Sequence, residues 1–578
     1  MPELTLSDLP EVFVAFETVK ALKGRVVYCH ENLGYELNAS ELLSKYNYVT
    51  LDTAAESDNV LDRKTFFAER YGGDGICTNG GGGRCGFDGV FHLKGLGPNQ
   101  LVGTRPRDTY GNSHANGFLS LDVAIYESVW AEVINIALPY GAVRTVAVID
   151  SEIDFEEPDQ KLPRGLLVRL PAVRPAHFIR AIYFKERKRD VLSEDAKRVK
   201  LAIHRLVDFL PVKNDEQRAN DLNERICQGM VELATRYAQQ FAAARAKRIF
   251  HQSISSSNVT LSGAWMDLAG ATVFSDKVWW EGFNIKQFLT EYESALGGIR
   301  DMCFYLCKYG VISALSTSAI VEQAVGTFKS EYERSLSLYH SAQAGFPFEM
   351  LKDLSGDVCF LAYSGFIHRV LRVDQYSVTP ITTSEGWQGH EHWVSKLYLQ
   401  LLRRKIYQSE EDFGWVSKDQ ALLNGLTGAY DALFDLVLRN AETSGVTYSS
   451  FCKLMTINAT RLNRCGLLLF GLQEKIMQTR LAAKTEKSAA EYDGVFQEAI
   501  DLACLAYEYS TGTRTLFWKS ATTTIYYDAA SDLFIAEVPG RDAIIKGAFF
   551  EVEAAVSLMK SAASFYGDGV KIFYESTV

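Results

Sequence analysis

The chain has 578 residues, more than one compact hydrophobic core usually organises, so its length predicts two or three lobes. A hydrophobic fraction of 47% and a charged fraction of 23% are typical of a globular protein. The net charge of −11 argues against a protein that binds nucleic acid through bulk charge, because phosphate contacts need concentrated lysine and arginine. The exception is the basic run Lys185–Lys200, which we interpret as a solvated helix face.

Neither the N-terminal residues nor the cysteines indicate a secreted protein. The first residues lack a basic segment leading into an apolar run, and no apolar run reaches the roughly 20 residues of a membrane span. The ten cysteines are scattered, and the spacing of Cys303 and Cys307 favours packing on one helical face over metal binding. We therefore expect a cytoplasmic protein without a membrane span.

The first site signal is a glycine-rich segment with eleven glycines between Gly72 and Gly97. Glycine lets a backbone approach phosphate oxygens closely, so the segment indicates either a nucleotide-binding loop or a flexible surface loop. Within it, Val90–Lys94 has the pattern of a strand that ends in a lysine. A lysine in that position is placed to meet phosphate charge.

An apolar helix is predicted next, over Leu121–Ala137, because its apolar residues recur at helical spacing. It carries Glu127 and Glu132, and either one could pair with Lys94 as a strand lysine and a helix glutamate do in kinases. The alternative is an ordinary surface ion pair, worth at most about 1 kcal/mol.

A long amphipathic helix over Asp215–Phe250 leads into the stretch His251–Gly270. This stretch carries Asn258 and, nine residues later, Asp267. Both side chains offer the oxygen ligands that Mg²⁺ prefers, and Mg²⁺ often takes only one or two ligands from the protein. Asn and Asp also form turns for purely local reasons, which is the alternative interpretation.

The rest of the chain predicts mostly helices from about 285 to 470, then a β-hairpin over Thr522–Val538 and a final helix over Asp542–Ser564. His390 and His392 alternate and could form a metal pair, although no third ligand is evident.

Several of these motifs together resemble the selenoprotein O family, kinase-like enzymes that transfer AMP. The family run G-D-G-R-A followed by L-Q-L-K-G-x-G is similar to Gly81–Cys85 and Phe91–Gly97. The family helix I-R-E-F-L-x-S-E is similar to Ile125–Glu132, which selects Glu127 as the partner of Lys94 and leaves Glu132 as a second position. A family D-G-R corresponds weakly to Asn116–Phe118.

The resemblance continues to about residue 275. The family arginines of V-x-R and S-H-I-R correspond to Arg169 and Arg180. The family catalytic-loop sequence aligns without gaps on His251–Ala269, with His251, Asn258, Gly263 and Asp267 identical. The departure is Ser257, which stands where the family has its catalytic aspartate.

The resemblance implies an α+β, bilobal, protein-kinase-like fold: an N-lobe over 1–165, a helical C-lobe over 166–340 and a mostly helical extension over 341–578. It implies ATP and Mg²⁺ as cofactors, with Lys94, Glu127 and Ser257 in catalytic positions and Asn258 and Asp267 on the metal. The implied ATP-binding residues are Gly82, Gly83, Arg84, Lys94, Asn116, Gly117, Arg169, Arg180 and Asp267.

The expected activity is AMP transfer from ATP to a protein or peptide acceptor, and Ser257 leaves its mechanism open. Serine cannot act as the carboxylate base that a hydroxyl acceptor needs. Asp154 or Asp276 could replace it, or the acceptor could be a carboxylate that needs no base. The alternative is a catalytically dead pseudokinase that binds nucleotide and scaffolds or regulates a partner, for example through the C-terminal region.

Overall fold

The computed structural model describes residues 4–31, 33–35, 37–53, 62–73, 79–103, 117–157, 160–182, 192–213, 219–275, 285–371, 377–482, 488–538 and 544–574. The protein is a mixed α+β molecule with 52% helix and 19% strand. A large antiparallel sheet occupies the N-terminal part, and helices dominate the C-terminal part.

Eight strands form the large sheet, and every pair of neighbours is antiparallel. In spatial order the strands are β2 (Arg25–Cys29), β7 (Thr145–Glu157), β8 (Gln160–Arg169), β6 (His92–Lys94), β5 (Cys85–Phe87), β4 (Arg63–Glu69), β1 (Phe13–Lys20) and β3 (Tyr48–Thr50). The predicted strand Val90–Lys94 is therefore present as the shorter β6. Because β8 continues to Arg169, a boundary after residue 165 falls inside a strand of this sheet.

Three smaller sheets follow among the described residues. They consist of β9 (Ile249–Phe250) with β10 (Thr272–Val273), of β11 (Val378–Thr382), β12 (Gln388–His392) and β13 (Arg464–Gly466), and of β14 (Arg514–Ser520), β15 (Thr523–Asp528), β16 (Leu533–Glu537) and β17 (Ile545–Gly547). The predicted hairpin over Thr522–Val538 is confirmed, because β15 and β16 pair antiparallel.

The described helices, in chain order, are α1 (Ala39–Tyr46), α2 (Leu121–Ala137), α3 (Leu192–Ile203), α4 (Leu206–Phe209), α5 (Leu222–Ala246), α6 (Ile285–Thr290), α7 (Tyr292–Lys308), α8 (Ala314–Gln343), α9 (Phe348–Asp353), α10 (Val358–Leu371), α11 (Val394–Tyr407), α12 (Gln420–Glu442), α13 (Tyr448–Arg461), α14 (Leu467–Ala482), α15 (Ser488–Tyr507), α16 (Phe549–Ala555), α17 (Met559–Tyr566) and α18 (Lys571–Tyr574). Short 3-10 helices connect some of them. Helix α2 has the predicted bounds.

Helix α5 is shorter than predicted, for local reasons at both ends. It begins after Asp221, whose side chain accepts a hydrogen bond from the backbone N–H of Glu224 and so caps the helix. It ends at Ala246, just before Arg248 adopts a left-handed backbone conformation with φ +58°. The chain then enters β9 and the stretch His251–Gly270.

The predicted final helix over Asp542–Ser564 is wrong. Ile545 and Lys546 instead pair with β16 as part of β17, which takes the first turns of the predicted helix into a sheet. The rest divides into α16 and α17, because Val556 between them has an extended backbone. The spacing of apolar residues in the sequence does not reveal such a break between helices.

Helix α12 is long and apolar enough to cross a membrane, the one such helix in the described part of the chain. This is weak evidence for a membrane span, because core helices of soluble proteins have the same length and composition. In α12, Leu426, Tyr430, Leu433 and Phe434 are fully buried among the side chains of the C-terminal core.

Candidate nucleotide site

Lys94 lies at the centre of a buried ionic cluster formed by segments far apart in sequence. Its side chain leaves the end of β6 and is 3% exposed. The Nζ atom donates hydrogen bonds to Glu127 Oε1 on α2 (2.5 Å) and to Asp267 Oδ1 (2.9 Å). The next residue, Gly95, has φ +102°, and a Cβ there would lie 2.4 Å from the carbonyl oxygen of Gly165. The strand can therefore turn away directly after the lysine only with glycine at this position.

Of the two candidate glutamates on α2, it is Glu127 that contacts Lys94. Glu132 forms an ion pair with Arg144 instead and lies 3.4 Å from His30. Both glutamates are buried, so each position needs its cationic partner.

Asp267 joins the lysine to a second cation. Its Oδ1 also accepts a hydrogen bond from Arg169 Nη1 on β8 (2.9 Å), and its backbone has φ +60°. Such left-handed backbone is uncommon for residues other than glycine but is tolerated by aspartate. Burial disfavours the carboxylate, but the charges of Arg169 and Lys94 outweigh it and hold the pKa of Asp267 well below its usual range. The group is therefore an anion throughout the physiological pH range.

Glu69 forms a second buried centre beside this cluster. Its Oε2 accepts hydrogen bonds from Arg174 Nη2 (2.7 Å) and His177 Nε2 (3.0 Å), and its Oε1 lies 3.1 Å from His92 Nε2. His92 Nδ1 accepts from Arg169 Nε (3.0 Å), which connects the two centres. Burial opposes ionisation, but His92 and Arg174 hold the pKa of Glu69 well below its usual range.

Sequence reasoning missed Glu69, His92, Arg174 and His177. The one local signal was a charged residue that follows the Phe-Phe-Ala run of β4 immediately before the glycine-rich segment. The partner arginine is 105 residues away, so the sequence pattern did not reveal the pair.

Contacts within the stretch His251–Gly270 close it into a loop. His251 Nε2 lies 2.9 Å from the carbonyl oxygen of Met266, and the backbone N–H of Met266 donates to the carbonyl of Asn258 (3.0 Å). Val259 and Trp265 form an antiparallel bridge between these contacts. Asn258 and Asp267 therefore lie at the same end of a short loop, as their spacing predicted.

Ser257 and Asn258 are connected to each other and to the Glu69 centre. The Ser257 hydroxyl contacts Ser255 Oγ (2.8 Å) and Asn258 Oδ1 (3.3 Å), while Asn258 Nδ2 donates to the Ser253 carbonyl (2.7 Å). Arg174 Nη1 donates to the carbonyl of Ser257 (3.2 Å). None of the described hydrogen bonds brings a carboxylate to the Ser257 hydroxyl.

The predicted ATP-binding residues of the glycine-rich segment lie beside β5, and they donate hydrogen bonds to backbone carbonyls of the protein itself. The backbone N–H groups of Gly82 and Gly83 donate to the carbonyls of Glu69 and Gly81 (both 2.8 Å), and Arg84 Nη1 donates to the carbonyl of Phe118 (2.9 Å). Gly117 has φ +80° and accepts from the backbone N–H of Gly97. Asn116 lies outside the described residues.

Two predicted groups do not join the contacts of Lys94. Arg180 pairs with Asp195 through Nε (2.6 Å), so its expected phosphate contact stays a prediction. Asp154, offered as a replacement base, pairs with Lys161 across the β7–β8 hairpin and has a half-exposed side chain. Asp276, the other offered base, lies outside the described residues.

The donor set at the loop fits Mg²⁺. Asp267 supplies an ionised carboxylate whose side chain is 22% exposed, and Asn258 supplies an amide oxygen. Among the described residues, no group of three or more His, Cys, Asp and Glu side chains could hold a metal ion. A Mg²⁺ ion needs no such group, because water and phosphate can complete its coordination.

No protein-family model matches the chain, and a search of curated proteins gave no significant match.

Proposed function

We propose that the protein transfers AMP from ATP, with Mg²⁺, to a carboxylate of a protein or peptide acceptor. The observation that carries the proposal is the position of Lys94 at the end of β6, where it contacts both Glu127 and Asp267. A strand lysine paired with a helix glutamate, beside a metal-binding aspartate, is the arrangement with which kinase-like enzymes hold nucleotide phosphates.

Each residue of the cluster has a role in this proposal. Lys94 and Arg169 are cations for the phosphate oxygens, and Glu127 fixes the lysine. Asn258 and Asp267 would hold Mg²⁺, which when bound supplies charge neutralisation for the phosphates. In the bilobal, kinase-like arrangement implied by the motifs, the nucleotide would lie between the large sheet and the loop His251–Gly270.

The chemical class of the acceptor is inferred from Ser257, which cannot act as a general base. A hydroxyl acceptor must lose a proton, and the serine hydroxyl contacts only Ser255 and Asn258 among its described partners. A carboxylate acceptor is already an anion, so it needs no base. Its oxygen would attack the α-phosphorus while the bond to the β-phosphate oxygen breaks. Pyrophosphate leaves, and the acceptor becomes an acyl-adenylate.

One observation favours a second candidate, a pseudokinase that binds nucleotide and scaffolds a partner. Lys94 and Arg169 both donate to the same oxygen of Asp267, so the cations already have an internal partner. A scaffold would keep this arrangement, whereas a catalyst must exchange part of it for phosphate.

The test is incubation with Mg²⁺ and ATP labelled at the α-phosphate, with pyrophosphate release and acceptor labelling as readouts. Candidate acceptors come from peptides and proteins that co-purify with the chain. Hydroxylamine should trap an acyl group if a carboxylate is adenylated. ATP binding without pyrophosphate release in the presence of these acceptors would support the scaffold and overturn the transferase.

Three variants locate the chemistry. Asp267→Asn should lower pyrophosphate release by roughly 10²–10³-fold, because it removes the carboxylate that would hold the Mg²⁺ ion at the phosphates. Asp154→Asn, a matched change at a half-exposed aspartate, should leave the rate unchanged. Ser257→Asp should give no gain with a carboxylate acceptor, and a rate increase would instead indicate a hydroxyl acceptor.

A further inference from the structure

A cysteine lies beside Lys94 on the face of the large sheet that carries the ionic cluster. Cys85 on β5 is paired directly with Lys94 on β6. Two such residues of an antiparallel sheet point to the same face, with Cβ atoms roughly 4.5–5.5 Å apart. His92, two residues before Lys94, shares that face, and Arg169 on β8 is paired with His92. The thiol therefore lies among the groups that the proposed function assigns to the phosphates.

The environment of the Cys85 thiol favours its reactive form. Burial opposes ionisation, but a hydrogen bond with His92 and the charges of His92 and Arg169 lower the pKa of the thiol. His92 is in turn held by Glu69, whose Oε1 lies 3.1 Å from its Nε2. The thiolate is the nucleophilic form of cysteine. Burial instead raises the pKa of several other described cysteines: Cys29, Cys227, Cys303, Cys359, Cys452, Cys465 and Cys504.

Two further observations indicate that a ligand binds beside this thiol. Arg169 is 3% exposed, and its Nε and Nη1 atoms donate to His92 and Asp267. Its third nitrogen, Nη2, is buried and has no hydrogen-bond partner among the described residues. Such a donor is costly to bury, so it is suited to an anion that binds between His92 and Asp267. A Cβ at Gly82 would lie 3.2 Å from the Cβ of Cys85, so the glycine leaves space beside the cysteine.

We propose that Cys85 accepts the acyl group of the acyl-adenylate and holds it as a thioester, a step that rests on the proposed AMP transfer to a carboxylate. In an acyl-adenylate a single oxygen atom joins the acyl carbon to the phosphorus. A phosphate bound by Lys94 and Arg169 therefore brings the acyl carbon close to the side chain that is paired with Lys94.

The step balances without a further reactant. The thiol releases its proton to solvent, and the sulfur of Cys85 forms a bond to the acyl carbon. The bond from that carbon to the phosphate oxygen breaks, and AMP leaves as a phosphate monoester anion. Nothing is oxidised or reduced.

Acetyl-adenylate, prepared chemically, is the probe, because it enters the proposed step directly. The full chain is incubated with a subsaturating concentration of it, and the acetyl group is located by mass spectrometry of peptides. Neutral hydroxylamine removes an acetyl group from a thioester but not from a lysine amide. We expect a hydroxylamine-sensitive acetyl group on Cys85. ATP at ten times its Kd should lower this labelling by about tenfold, because it competes for the same phosphate contacts.

Three variants locate the thioester. Cys85→Ala should abolish the hydroxylamine-sensitive acetyl group, and Cys85→Ser, which keeps the size of the side chain, should abolish it as well. Cys465→Ala is the matched control, because Cys465 is also a buried cysteine followed by glycine in a three-residue strand, β13. Strand β13 pairs with β12 in a different sheet, so labelling of Cys85 should persist in this variant. Circular dichroism and melting confirm that each variant folds.

An acetyl group that is lost in both Cys85 variants and kept in Cys465→Ala supports the thioester. Equal labelling of Cys465 and Cys85 would overturn it, since the thiol would then react without help from its surroundings. Labelling of Cys85 that ATP does not reduce would overturn it as well, because the phosphate contacts would have no part in the reaction.

Pyrophosphate release from ATP by the parent chain, measured with the co-purifying acceptors, separates this inference from the proposed function. Release of pyrophosphate without acetylation of Cys85 by acetyl-adenylate overturns the thioester alone. Absence of pyrophosphate release overturns AMP transfer and the thioester with it, whatever the acetylation result.

Discussion

The two glutamates of α2 allow a matched test of the Lys94 cluster. Glu127→Gln removes the charge that fixes Lys94, so we expect ATP binding to weaken by about 2 kcal/mol, or roughly 30-fold in Kd. Glu132→Gln removes a charge from the same helix, but its contacts are Arg144 and His30. The measurement is ATP affinity by calorimetry for both variants.

Comparing the two variants distinguishes an effect on nucleotide binding from an effect on folding stability. If Glu127 acts on the nucleotide through Lys94, affinity falls while Glu132→Gln changes mainly the free energy of unfolding. Equal losses of affinity in the two variants would mean that both act through folding alone, and the role assigned to Glu127 would be wrong.

The sequence could predict the individual site residues better than their environment. Lys94, Glu127 and Asp267 each have a local signature: a lysine that ends a strand, a glutamate on an apolar helix, and an aspartate that ends a short apolar run. Glu69 has almost no local signature, because its role depends on contacts with Arg174 and two histidines that only the fold brings together.

At the scale of elements, α2 is covered on more than one side. The large sheet packs on it through β8, and α14 and α15 pack on it as well. This explains why the sequence of α2 lacks a polar face and why its apolar pattern predicts both ends of the helix correctly. Asp122 at its start also pairs with Arg480 of α14 (3.0 Å). Two helices of the C-terminal segment 341–578 therefore pack against the helix that carries Glu127.

This packing predicts a distant effect on the nucleotide site. Phe496 on α15 stacks on Tyr28 of β2, with ring centroids 3.8 Å apart, and both are buried. Phe496→Ala should lower the free energy of unfolding by about 3–5 kcal/mol through lost burial and a cavity. It should also weaken ATP binding, since α15 packs on α2.

Urea unfolding and ATP titration are the measurements. Phe550→Ala on α16 is the control, because that ring is 59% exposed and should cost no more than about 0.5 kcal/mol. A destabilised Phe496→Ala protein with unchanged ATP affinity would show that α15 supports the fold without positioning α2.

At the scale of the whole molecule, the sequence does not reveal which distant segments pack against each other. One hydrophobic core contains residues from Leu6 to Tyr507, and a second extends from Leu338 to Phe573. Lys247 illustrates the first: its Nζ atom donates to the carbonyls of Ala137 and Tyr507, which joins the ends of α2, α5 and α15. Periodicity identifies which face of a helix is apolar, but not which distant helix covers it.

The stability of the whole molecule should depend on pH through Glu291, beside the loop His251–Gly270. Its carboxyl oxygens accept hydrogen bonds from the backbone N–H groups of Gln252 (2.7 Å) and His251 (3.3 Å). Burial nevertheless raises the pKa of Glu291 to about 8 from an ordinary value of 4.5. The folded protein therefore binds this proton more tightly than the unfolded chain does.

Because the folded protein binds this proton more tightly, its free energy of unfolding falls as the pH rises. The stabilisation is fully present below the unfolded pKa and is lost as the pH rises through the folded pKa, at about 1.4 kcal/mol for each unit between them. Urea unfolding of the parent and of Glu291→Gln at pH 5, 7 and 9 should show the parent losing stability relative to the variant. Glu293→Gln, an exposed neighbour, should follow the parent. Parallel curves for the parent and Glu291→Gln would contradict the raised pKa, and Glu291 would then be an ionised cap on the loop throughout this pH range.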